Sequence, residues 1–117
     1  DEACFNALVA ASDVIFAVYR NFTGSSNLLT KAAAFRRPVI VSRGACMGWR
    51  AEKYDIGRAI VETDANACRK AIADLCHDTK DHTEAYNRYL QQHSLGRLRS
   101  CLETLQENLL DNLIKTT

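Results

Sequence analysis

Thr23-Gly24-Ser25-Ser26, preceded by Arg20 and by the apolar run Val14-Ile15-Phe16-Ala17-Val18-Tyr19, is the segment best suited to chemistry in this sequence. Glycine lets the backbone approach a ligand closely, the serine hydroxyls add donors, and a helix start offers free N–H groups and the positive end of the helix dipole. Such a turn suits an anion, and Arg20 adds a forked guanidinium that matches phosphate. Serine at a helix start is also the ordinary capping residue, so the same turn fits a plain N-cap. A second segment, Arg43-Gly44-Ala45-Cys46-Met47-Gly48, has glycines four apart and a cation directly after an apolar run. It reads either as a tight loop over a ligand, with Arg43 facing the same crevice, or as a plain strand-to-helix connection with a surface charge.

The remaining reactive types form no set. His77, His82 and His93 have no partner at metal-ligand or acid/base spacing, no carboxylate pair stands out, and no Ser/His/Asp or Cys/His group assembles. No metal and no cofactor are expected. The five cysteines, Cys4, Cys46, Cys68, Cys76 and Cys101, are odd in number and contain no C-x-x-C. They read as reduced thiols in a cytoplasmic protein, with Cys68 and Cys76 as small core residues.

The 117 residues are 47% apolar and 25% charged, which suits one globular domain. Lys and Arg number 15 against 14 Asp and Glu, a net charge of +1, so the basic excess of a nucleic-acid groove is missing. No apolar run approaches the roughly 18 residues of a membrane span, and the acidic start is not an export signal.

The elements that must position the two turns follow from pattern. Residues 3–11 read as a helix ended by Ser12-Asp13. Val14 to Tyr19 is a strand buried on both faces. Leu28, Leu29, Ala32, Ala33 and Phe35 recur at helical spacing until Pro38 forbids continuation, and Val39-Ile40-Val41 is a second buried strand. A loop through Gly48, a short helix from Trp49 to Tyr54 and a third strand over 56–61 follow. Asp64 caps a helix reaching His77, and Asp81 heads a capping box for the next one. The last helix, from Leu95 to about Ile114, carries Leu98, Leu102, Leu105 and Leu109 at heptad-like spacing. Alternating helices and strands imply βαβ units and a parallel sheet of about three strands, the second half of a doubly wound domain. The core would span 1–93 and the C-terminal helix 94–117.

Three stretches together look like the C-terminal half of a GT-B-type glycosyltransferase. They are Ala11-Ser12-Asp13-Val14-Ile15, then Gly24-Ser25-Ser26-Asn27-Leu28-Leu29-Thr30-Lys31-Ala32-Ala33-Ala34, then Arg37-Pro38-Val39-Ile40-Val41. Gly44, Met47-Gly48, the Tyr54-Asp55-Ile56-Gly57 segment and Tyr89-Leu90 to Ser94 extend the similarity over about residues 5 to 110. The resemblance implies a Rossmann-like, three-layer α/β/α donor-binding half-domain of a two-domain enzyme that transfers sugar from a nucleotide-sugar without an obligatory metal. The general base and acceptor pocket would belong to an N-terminal domain, so this half would not turn over alone. Gly24, Ser25 and Ser26 match the family's phosphate-facing turn, with Arg20, Asn27, Arg43 and Gly44 around it. Lys31 and Thr23 stand where many retaining members carry glutamates, and an ammonium cannot accept hydrogen bonds from ribose hydroxyls. In the family's sheet, strand 14–18 pairs with a first strand not found here, so a homodimer or exchanged element is expected to cover that edge. Two other readings stand beside this one: a non-catalytic interaction or dimerisation module, and a fragment similar to nucleotide-sugar 2-epimerases.

Overall fold

The computed structural model describes residues 1–20 and 27–116. The chain is mixed α/β with a parallel sheet. In order, the elements are α1 (Glu2–Ala11), β1 (Ile15–Ala17), α2 (Asn27–Ala34), β2 (Val39–Ser42), α3 (Cys46–Lys53), β3 (Gly57–Ile60), α4 (Ala65–His77), α5 (Thr83–Gln92) and α6 (Leu95–Thr116). The strands lie in the order β1-β2-β3, with Ile15 opposite Val39 and Val39 opposite Gly57.

β2 is central and buried on both faces, which is why Val39, Ile40 and Val41 are apolar without alternation. Val39 and Val41 face a large cluster with Ile15, Ala17 and Ala59, covered by Val9 of α1, Leu29 and Ala32 of α2, Met47 and Ala51 of α3, and Tyr86 and Tyr89 of α5. Ile40 and Ile60 face a smaller cluster beneath Ala71 of α4, with Val14, Val18, Cys68 and Leu75 at its margin. Each fully buried aliphatic or aromatic side chain here contributes about 1.5–3 kcal/mol by leaving water. Because α4 packs on β2 and β3, the β1 side of this face stays open, and Phe16 is 58% exposed at the edge of the sheet.

Both crossovers end in the same way. After α2, Arg36 takes φ 57° while Arg37 N–H donates to the Ala32 carbonyl; after α3, Asp55 takes φ 55° while Ile56 N–H donates to the Ala51 carbonyl. These are left-handed helix stops of the kind glycine usually supplies, filled here by Arg and Asp. Glycine is required at Gly57, where a Cβ would run into the Val39 carbonyl oxygen, and at Gly48, where it would meet the Ser42 carbonyl oxygen.

Several boundaries differ from the sequence reading. The first strand is only Ile15–Ala17, because beyond Ala17 the main chain of Tyr19 bonds to the Ser42 side chain instead of continuing the ladder. α3 begins at Cys46, not Trp49, since Gly48 serves close helix–strand approach and not a loop. Asp81 does not cap α5. His82 holds the cap position, and Asp81 accepts from the N–H and hydroxyl of Thr83. Cys76 is exposed, because α4 meets the sheet through Ala67, Cys68, Ala71 and Leu75 only; all five cysteines are free thiols.

α6 stands apart. Its main contact is with α5, and the molecule extends 61 × 31 × 28 Å with a radius of gyration of 17.6 Å. A compact chain of this length would have about 13 Å.

Candidate functional site

Parallel strands place their carboxyl ends together, so the chain leaving β1, β2 and β3 meets on one side of the molecule. Ser42 organises that side. Its hydroxyl accepts from the Tyr19 N–H at 2.9 Å and donates to the Tyr19 carbonyl at 2.9 Å, which fixes the exit of β1 beside the end of β2. Arg20 and Arg43 leave from these two fixed points, both exposed. Arg43 is held in place by its own N–H, which donates to the Ile60 carbonyl at 2.8 Å. Gly44 then turns the chain at φ 84°, a conformation that suits glycine.

α3 starts immediately after this turn. Its cap position, Ala45, supplies no side-chain hydrogen bond, and the start of α3 borders a cavity of about 460 Å³ that Glu52 also lines. Arg43, Gly44, Cys46 and Trp49 line it, and Trp49 is 60% exposed with the Lys53 ammonium 4.5 Å from its ring centre.

Thr23, Gly24, Ser25 and Ser26 lie outside the described residues. Asn27 opens α2 and faces a second cleft, of about 700 Å³, lined also by Arg50 of α3, His93 at the end of α5, and Arg97 of α6. Arg50 and Arg97 were not marked by the sequence. Both line a cleft built from α2, α3, α5 and α6, which converge only in the fold.

Lys31 points elsewhere. Its ammonium donates to Glu2 at 3.0 Å and to the Asn6 side chain at 2.8 Å, and lies 5.3 Å from the Phe5 ring centre. It ties α2 to α1. Arg37 adds to the same tie through a 2.6 Å bond to the Ala10 carbonyl.

The sequence also gave no acid partner for histidine, yet the fold supplies two. At the amino ends of the strands, His82 Nε2 lies 2.6 Å from Asp78 and Nδ1 3.7 Å from Asp55, in the wall of a cavity of about 270 Å³. Hydrogen bonds from the Lys80 N–H and from His82 hold the Asp78 carboxyl below its ordinary value of 3.8. The Thr83 hydroxyl and N–H do the same for Asp81, and burial pushes the Tyr86 phenol up. His82 thus sits between two carboxylates, hydrogen-bonded to Asp78 and 3.7 Å from Asp55. The cluster clamps the α4–α5 connection onto the turn after α3 and lies away from the crevice side.

No protein-family model, no curated protein and no solved structure matches this chain. Among the described residues, no helix is long and apolar enough to cross a membrane.

Proposed function

We propose that this chain is the donor-binding half of a nucleotide-sugar-dependent glycosyltransferase, the second half of a three-layer doubly wound domain. The observation that carries the reading is the Ser42–Tyr19 staple. It fixes the exits of β1 and β2, from which the exposed Arg20 and Arg43 leave, and α3 starts shortly after Arg43 with no side-chain cap. Two guanidiniums and free helix N–H groups suit a pyrophosphate, whose charge they offset and whose oxygens they can fork. In this reading the donor is held here and acceptor activation is left to an N-terminal domain.

Lys31, tied to Glu2 and Asn6, is not available to the ribose. The nucleotide would be held by backbone N–H groups at 23–27 and by Arg20, Arg43 and Gly44, with Trp49 as the exposed aromatic face nearby. Nucleotide-sugar is the substrate partner in this reading, no metal is used, and the cytoplasm is the expected compartment.

Titration of the folded ¹⁵N-labelled chain with UDP, GDP and ADP tests it. Saturable amide shifts confined to residues 20–29 and 43–49 for one nucleotide are expected. A folded chain showing no localised shift with any of the three at millimolar concentration would overturn the assignment. Arg43→Ala should weaken the response about 10-fold or more, as loss of a charge-assisted bond to phosphate does.

A further inference from the structure

α6 has 22 residues, and each side chain described on it is exposed. Leu98, Leu102, Leu105 and Leu109 are 55–56% exposed and form one stripe, while Glu103, Glu107 and Asp111 run along the far side. Burying the stripe and its flanks would remove on the order of 600 Å² per chain, near the lower end of what a specific two-chain interface needs. A surface patch of that size marks a contact.

The spacing says with what. The four leucines are separated by four, three and four residues, a sequence that reads the same in both directions. Rotation by a two-fold axis at the midpoint between Glu103 and Thr104 sets Leu98 against Leu109 and Leu102 against Leu105. Every leucine then meets a leucine, the self-complementarity an isologous interface requires.

The body of the molecule decides the direction. Packed helices lie about 8–10 Å apart, but the shorter extents of this molecule are 31 and 28 Å, and the body sits at the start of α6. A parallel pair would crowd two bodies side by side at one end of the pair. An antiparallel pair puts them at opposite ends of a helix about 33 Å long. It also brings the last turns of the second α6 opposite residues 93–97, over the mouth of the 700 Å³ cleft bounded by His93, Arg97, Leu98 and Cys101.

We propose that α6 pairs antiparallel with α6 of a second copy of this chain, making a symmetric dimer independent of nucleotide. Sedimentation equilibrium at about 100 µM should give twice the chain mass, a concentration suited to an interface of this modest area. Leu102→Glu with Leu105→Glu should raise the dissociation constant at least about 100-fold, since the two central anchors face each other. Both side chains are exposed within one chain, so the dispersed variant should keep the circular dichroism spectrum of a folded chain and unfold cooperatively, with a melting temperature that no longer rises with concentration as the dimeric parent's does.

Direction is read by cross-linking. In a Cys4→Ser, Cys76→Ser background, Asn108→Cys should bridge to Cys101 of the second copy under mild copper oxidation, because both positions flank the stripe on the same side. A monomer at 100 µM would overturn the proposal and assign the stripe to some other element. A dimer that survives the double leucine change, or a bridge joining Cys101 to Cys101, would overturn it equally. Nucleotide titration on the dispersed variant separates this question from the donor-binding one.

Discussion

Replacing Tyr89 by Phe should make the protein more stable. Tyr89 is fully buried, its ring stacks on His93 at 4.2 Å and meets Tyr54 edge-on at 5.3 Å, and its hydroxyl finds no hydrogen-bond partner among the described residues. Folding therefore removes that hydroxyl from water without return, a cost of about 1–3 kcal/mol. Phe keeps the ring contacts and leaves only a one-atom void, whose lost packing returns a fraction of a kcal/mol. The net expectation is a gain of about 1 kcal/mol, or a melting temperature about 4 °C higher for a domain of this size.

Urea and thermal unfolding measure this, with Tyr89→Leu as the control. Loss of the ring should cost the control about 2–4 kcal/mol in stacking and cavity terms. If Tyr89→Phe lost 1 kcal/mol or more while the control behaved as expected, the hydroxyl would have a partner and the orphan argument would fail.

Two further expectations rest on local geometry. Arg36 holds a left-handed stop at φ 57°, so Arg36→Gly should stabilise by about 0.5–1 kcal/mol in the same unfolding assays, and a loss would show that its charge matters more than its backbone. Asp78 and Asp81 have carboxyl groups depressed by hydrogen bonds, so their contribution is complete above the unfolded value of 3.8 and is lost as pH falls through the lower folded values. Melting temperature should therefore fall below about pH 4, and Asp78→Asn with Asp81→Asn should flatten that acid limb. An unchanged limb in the double variant would assign acid sensitivity elsewhere.

What the sequence discloses follows the range of the interactions. β2 was legible because burial on both faces leaves a run of three apolar residues after Pro38, and Asp64 was legible because a cap acts within one turn; its side chain accepts from Ala67 N–H. Gly48 misled because glycine in a helix and glycine in a loop look alike until the Ser42 carbonyl is placed against it. The partners of Lys31 lie 25 and 29 residues away on α1, and Asp55 is 27 residues from His82, so neither contact leaves a mark on local spacing. Ser42 shows the same limit at the candidate site. It reads as a strand end, and its role depends on Tyr19, 23 residues earlier. The leucine spacing of α6, in contrast, was plain from the start, because exposure does not alter a periodicity.

The order of the strands bears on where a ligand can sit. β1, β2 and β3 follow one another across the sheet in chain order, and both connecting helices pack into the same apolar cluster. The chain therefore winds in one direction only within the described sheet. In open α/β sheets the binding crevice opens where that direction reverses, and no reversal lies between these strands. The remaining place is the outer edge of β1, where Phe16 is exposed and Arg20 emerges. A strand added there, with its helix on the face that α4 leaves open, would create the reversal beside the start of α2. On the proposed donor-binding reading the crevice has one wall in the described residues, so a nucleotide should bind this chain weakly, with shifts limited to the arginines and helix starts of that wall, and tight binding by the isolated chain would mean that some other surface holds the ligand.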